Sequence, residues 1–142
     1  MIDKFDGKYA FLSNFYDAPV EYNGLCYQNN EAAFQAQKTT DEIKRIKFSH
    51  LNPSEAKSLG RRINLRNDWE NVKTQIMYEI CYAKFTQNPD LAQKLIDTGN
   101  QTLVEGNTWN DTFWGVCKGV GENHLGIILM QIRKELSLIL KE

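Results

Sequence analysis

Histidine is nearly absent from this chain: His50 and His124 are the two in 142 residues. A histidine-built metal centre is therefore not expected. Cysteine is sparse too. Cys26, Cys81 and Cys117 are odd in number and fit no zinc or redox spacing, so buried, reduced thiols are expected, which favours the cytosol. No apolar run is long enough to span a bilayer, and Met1-Ile2-Asp3-Lys4 does not read as a signal peptide, so a cytoplasmic protein away from membranes is the expectation. Net charge is −1, so the global basic field of a tight, non-specific nucleic-acid binder is missing. Recognition of a nucleic-acid end or one modified nucleotide needs only a local patch and stays open. Internal repeats, low-complexity tracts, GxGxxG and P-loop motifs are missing as well.

What is present describes one soluble domain. At 142 residues, with 42% hydrophobic and 25% charged residues, the chain suits a single core, expected over residues 1–142. Tyr9 to Tyr16 reads as a short aromatic strand running into Ser13-Asn14-Phe15. Val20-Glu21-Tyr22, Asn23-Gly24 and Leu25-Cys26-Tyr27 predict a hairpin, because Asn-Gly supplies two positive φ values. Asn29 or Asn30 caps a helix running to Lys38, with Glu31 in its first turn. Asp41 to His50 predicts a short basic helix with Ile43, Ile46 and Phe48 as candidates for the inward face. Asn52-Pro53 starts another, stopped at Gly60.

Asn67-Asp68-Trp69-Glu70 opens the longest helix, with Val72, Ile76, Ile80 and Ala83 on one stripe and Met77, Cys81 and Phe85 beside it. Pro89 to Thr98 is a helix and Thr102 to Glu105 a short strand. A last helix spans Asn123 to Lys141, its core face drawn from Leu125, Ile128, Leu129, Ile132, Leu136 and Ile139. The class is α+β: a single mostly helical domain with a β-hairpin and a few short strands.

Four features carry chemistry. The stretch Thr108-Trp109-Asn110-Asp111-Thr112-Phe113-Trp114-Gly115 mixes turn residues with large aromatics, as a loop packed over a site would. Asp111 there also suits a plain Asx-turn. Glu31 suits a helix first turn, where a carboxylate is ordinary, but its place after a hairpin can hold it rigidly. Two carboxylates together can stabilise a cationic transition state and activate water. Trp69, Trp109 and Trp114 offer flat faces for a base or a charged sugar ring. Lys57, Arg61, Arg62 and Arg66 form a basic cluster, either a solvated face or a phosphate contact.

Several segments, in order, resemble one family. They are Phe11-Leu12-Ser13-Asn14-Phe15, Asn30-Glu31-Ala32-Ala33-Phe34-Gln35-Ala36-Gln37-Lys38 and Arg66-Asn67-Asp68-Trp69-Glu70-Asn71-Val72-Lys73. Ala83 to Pro89, Leu103-Val104-Glu105, Asp111-Thr112-Phe113-Trp114-Gly115 and Gly121 to Gly126 running into Leu129-Met130 continue the match. The chain resembles the NADAR, or YbiA-like, N-glycosidases over nearly its whole length.

The resemblance implies hydrolysis of a ribose–nitrogen bond. The substrate would be ADP-ribose on guanine in nucleic acid or, as the alternative, a phosphorylated pyrimidine intermediate of riboflavin synthesis. It implies Glu31 and Asp111 as catalytic residues, with Trp69 and Trp114 walling the site. Ser13, Asn14, Lys38, Arg61 and Arg62 become candidate substrate contacts. Implied partners are ADP-ribose or a related ribosyl nucleotide, including ADP-ribosylated DNA or RNA. Neither metal nor redox cofactor is called for.

Three details depart from the pattern: Ala32 where many members have His, Tyr27-Gln28 where many have Trp-Pro, and a loop before Asp111 longer by about one residue, carrying Trp109 as an extra aromatic. A non-catalytic ADP-ribose-binding module is the competing class, and it would be expected to lose one of the carboxylates. The enzyme reading requires Glu31 and Asp111 to face one pocket.

Overall fold

The β-hairpin forms where the Asn-Gly pair predicts it. In the computed structural model, which describes residues 1–140, β1 (Asp17–Tyr22) pairs antiparallel with β2 (Leu25–Asn29). Asn23 (φ 52°) and Gly24 (φ 85°) make the turn. The register shifts between Asp17 and Val20, at Pro19, which has no N–H to give to a ladder.

Residues Asn14–Asn88 make one compact unit, and Met1–Ser13 with the chain from Pro89 onward make a second. The first unit holds the hairpin and four helices: α1 (Asn30–Ala36), α2 (Glu42–Phe48), α3 (Pro53–Gly60) and α4 (Trp69–Gln87). Asn29 caps α1, its side chain accepting from Ala32 N–H at 2.7 Å. Asn52 and Glu55 close a full capping box on α3. The hairpin and α3 pack on α1, and α4 lies along β1. Val20, Tyr27, Phe34, Phe48, Met77, Ile80 and Phe85 are buried here.

The second unit opens with a 3-10 helix, Gly7–Leu12. It continues with α5 (Pro89–Ile96), a short parallel pair of β3 (Gly106–Asn107) and β4 (Val116–Cys117), and α6 (His124–Leu140). Leu91 and Leu95 of α5 and Leu125, Ile128, Leu129, Ile132 and Leu136 of α6 are buried, and the two helices pack together. Among the described residues no helix is long and apolar enough to cross a membrane.

The α+β class expected from the sequence is the class observed. Five local readings are corrected. Tyr9 to Tyr16 is not a strand: the 3-10 helix takes Gly7–Leu12, burying Phe11 and Leu12 as neighbours, which a strand's alternation would separate. In α2, Ile43 (74% exposed) and Ile46 (46%) face solvent, and of the three expected inward residues Phe48 alone is buried.

Thr102 to Glu105 makes an isolated bridge, Leu103 to Ile2, because the partner segment is the chain start. Ile139 is exposed, so the core face of α6 ends a turn earlier at Leu136; Lys141 lies outside the described residues. Cys26 is exposed, whereas Cys81 and Cys117 are buried thiols as expected.

Candidate active site

The first unit builds a rigid seat for Glu31. Its backbone N–H donates to Asn14 O at 3.0 Å, tying the start of α1 to the segment that enters β1. Asn14 is buried, and its side-chain oxygen accepts from Asn30 Nδ2 at 3.2 Å while its Nδ2 reaches Met77 Sδ at 3.5 Å. Asn14 thus sits beneath the start of α1 as a brace. Burial pushes the neighbouring Cys81 thiol up to about 12. The Glu31 carboxylate is half-buried and accepts at Oε2 from Gln35 Nε2 at 2.7 Å, one turn along the same helix.

Lys38 is the cation that feels that carboxylate. Burial pulls the Lys38 ammonium below the usual lysine range; Glu31 opposes this, while Arg61 and Lys73 add to it. Lys38, two residues past the end of α1, thus feels charges from Glu31 on α1, Arg61 just after α3 and Lys73 on α4. Arg61 and Arg62 are exposed. Lys73 also pairs with Glu70 at 2.7 Å.

Arg66 has a different job. Its N–H donates to Lys38 O at 2.8 Å and its guanidinium grips Asp68 at 2.6 and 3.1 Å, joining the end of α1 to the start of α4. That junction sets Trp69 against Phe34, ring centroids 5.1 Å apart. Trp69 is 5% exposed, so almost none of its ring is open to solvent. Lys57 lies over the Phe15 ring at 5.8 Å.

The second unit carries Asp111 in a loop built from short-range bonds. Asp111 Oδ1 accepts from Phe113 N–H at 3.2 Å and Trp114 N–H at 2.9 Å, forming the Asx-turn its sequence allows. Asn107 latches the same residue: its Oδ1 accepts from Asp111 N–H at 3.0 Å and its Nδ2 donates to Asp111 O at 2.8 Å.

The aromatic segment is then strapped to the start of α6. Glu122, His124 and Leu125 N–H groups donate to Thr112, Phe113 and Trp114 carbonyls at 2.7, 3.1 and 2.9 Å. The Phe113 ring stacks on His124 at 4.3 Å and meets Trp114 edge-on at 4.8 Å. Trp109 is 56% exposed. It lines an open groove of about 800 Å³ with Ser13, Glu105, Asn107 and Lys118.

Of the residues singled out from the sequence, Glu31 and Arg61 both act on Lys38, Asn14 braces Glu31, and Trp69 packs on Phe34 of α1. Asp111 and Trp114 share another, and Ser13 lies in the groove with Trp109. Gln35, Lys73, Asn107 and His124 were not singled out. Gln35, Lys73 and His124 lie inside the matched segments, so a signal existed, but only packing reveals what each touches. Among the described residues no group of three or more His, Cys, Asp or Glu is placed to hold a metal ion.

Known proteins share this chain's sequence and fold. The NADAR domain model matches residues 2–137, through both units. The N-glycosidase YbiA of Escherichia coli is 38% identical over 134 residues, covering 92% of this chain and 83% of that protein. A riboflavin biosynthesis protein of Vibrio vulnificus is 36% identical over 135 residues, covering 92% of this chain and 36% of that longer relative. The NMR structure of Escherichia coli YbiA matches 100% of this chain and 90% of its own, with a TM-score of 0.86 and 36% identity. With the family model spanning nearly every residue, and relatives alike in both sequence and fold, the chain belongs to the NADAR family.

Proposed function

We propose that this protein hydrolyses the bond between a ribose C1′ and a nitrogen, and that its substrate is ADP-ribose attached to guanine in nucleic acid. The reaction class follows from the family and from 38% identity to an N-glycosidase: the chain is a hydrolase of N-glycosyl bonds. The observation that carries the assignment of residues is Glu31, seated at the start of α1 and coupled electrostatically to Lys38, on which Arg61 and Lys73 also act. A carboxylate meets the charge of the reaction, and the cations suit the phosphates of a nucleotide.

As the C1′–N bond lengthens, positive charge builds on C1′ and the ring oxygen. A fixed carboxylate stabilises that charge more in the transition state than in the ground state, which is what lowers a barrier. The electron pair of the breaking bond leaves with the base nitrogen, which takes up a proton. The oxygen of a water bonds to C1′ and gives its own proton away. Glu31 is assigned to polarise the ribose or activate that water, and Asp111 to position the water or stabilise the cation. Trp69 and Trp114 orient ribose and base, and Lys38, Arg61 and Arg62 contact phosphate.

A second reading rests on the Vibrio vulnificus relative, named for riboflavin biosynthesis: the substrate is then a phosphoribosyl-aminopyrimidine. A non-catalytic ADP-ribose-binding module is disfavoured because both carboxylates are kept.

One experiment separates the three. The protein is incubated with an oligonucleotide carrying ADP-ribosylated guanine and, separately, with a phosphoribosyl-aminopyrimidine, and released ADP-ribose or ribose phosphate is followed. Release from the oligonucleotide by the native chain, lowered about a thousandfold in Glu31→Gln, is expected. Release only from the pyrimidine selects the second reading. Tight ADP-ribose binding without turnover of either substrate selects the module.

A further inference from the structure

Gln35 lies on α1 between Glu31 and the last residue of α3. Its Nε2 donates to Glu31 Oε2 at 2.7 Å. The residue is 7% exposed, and its Oε1 is buried with no hydrogen-bond partner. That oxygen points at Gly60, where a built Cβ would overlap Oε1 and come within 2.6 Å of Cδ. We infer that Gln35 is a positioning residue for Glu31, and that residue 60 is glycine because the Gln35 amide occupies the space a side chain there would fill. The inference rests on the assignment of Glu31 made above.

Two points argue that this contact serves the carboxylate rather than packing. First, a leucine or methionine at 35 would fill the same α1–α3 contact without leaving a buried acceptor unpartnered, a costly thing to keep. The polar residue is explained by what its N–H holds. An ionised carboxylate oxygen at this distance requires a donor, so the amide must turn Nε2 to Glu31 and Oε1 to Gly60.

Second, Gly60 is a helical position, not one of the positive-φ glycines. There alanine would favour the helix by about 1 kcal/mol, so conformation does not explain the glycine, whereas the amide of Gln35 does. The charged groups that act on Lys38 besides Glu31 are Arg61 after α3 and Lys73 on α4, and Lys38 itself follows the end of α1. Gln35 is the neutral group among them. It fixes a carboxylate oxygen without adding charge.

The test uses Gln35→Leu, Gly60→Ala and the double variant, with Gln35→Met carrying the same readouts if the leucine variant does not fold. Two readouts are taken: the NMR titration of the Glu31 side-chain carboxyl carbon, and kcat and KM on the ADP-ribosylated-guanine oligonucleotide and the phosphoribosyl-aminopyrimidine. Losing a donor to the charged form moves the Glu31 titration to higher pH. Gln35→Leu is expected to do this and to lower kcat about tenfold or more, with KM nearly unchanged.

Gly60→Ala, by pushing the amide aside, moves both readouts the same way by less. Added to Gln35→Leu it changes neither, because the amide it displaces is already gone. The inference is overturned if Glu31 titrates alike in the native chain and Gln35→Leu, or if Gly60→Ala costs as much with leucine at 35 as with glutamine. A moved titration together with full activity of Glu31→Gln upholds the positioning of Glu31 by Gln35 and sinks the catalytic assignment of Glu31.

Discussion

Glu31 and Asp111 are the same chemical group mounted in opposite ways. Glu31 stands on a helix whose first N–H groups are taken by Asn14 and Asn29, and its carboxylate is steadied by a side chain, Gln35. The elements behind it are long-range neighbours: the hairpin, α3 and α4. Asp111 stands in a loop, and its side chain accepts from backbone N–H groups two and three residues away. The contrast is instructive because a helix-mounted carboxylate inherits the rigidity of the core. A loop-mounted one must carry its own local scaffold, and part of its carboxylate is spent on the turn.

Substitutions can break or sharpen that contrast. The largest loss belongs to Glu31→Gln, about a thousandfold in kcat, with thermal melting unchanged because the amide keeps an acceptor toward Gln35. Asp111→Asn should cost about a hundredfold, since asparagine keeps the Asx-turn and removes only the charge. Near-native turnover in Asp111→Asn would reduce Asp111 to a turn former and leave Glu31 as the single working carboxylate.

The third prediction concerns stability of the Glu31 side. Lys84 is 1% exposed on α4, between the rings of Tyr16 and Phe85 at 5.6 and 5.1 Å. Burial pulls its ammonium down to about 8. The folded chain thus holds this proton less tightly than the unfolded chain. Below pH 8 the burial cost is present in full, and it is relieved as pH rises above 8. Lys84→Met is expected to stabilise the chain by about 1–3 kcal/mol at pH 7 in urea melts. That advantage should narrow by pH 9; an advantage that widens instead would contradict a depressed ammonium.

Asn107→Ala comes next. It removes both latches on Asp111, and about a tenfold loss of kcat is expected with KM little changed. Trp109→Ala is the smallest, about a twofold rise in KM at most. A large KM effect there would promote the groove beside the loop to a substrate contact.

Much of the first unit was legible in the sequence because its signals are local. Asn-Gly fixes the hairpin, Asn29 and Asn52 are caps, and the α4 stripe has helical period. The misreadings have physical causes. Ile43 and Ile46 suit a buried stripe, but α2 is short and makes its contact through Phe48. The region of Tyr9 offered aromatics without period. Leu103 pairs with Ile2, about a hundred residues upstream, which no window can detect. At the site, Glu31, Asp111, Trp69 and Trp114 stood out as candidates from residue type and place, and the ordered family segments gave them roles. Gln35 and Gly60 escaped because their relation exists only once α3 lies on α1.

The Asn107 latch has a consequence for how this family can vary. One side chain pins the backbone of Asp111 through both its N–H and its carbonyl, closing Thr108, Trp109 and Asn110 into a short ring whose two ends are already joined. Asn110 takes a left-handed φ of 64° to complete it. Length and composition can therefore change inside that ring while the carboxylate beyond it keeps its address. The extra residue and the added tryptophan expected from the family resemblance fall in this stretch. Here the protein has a place where new specificity can be tried without re-founding the chemistry.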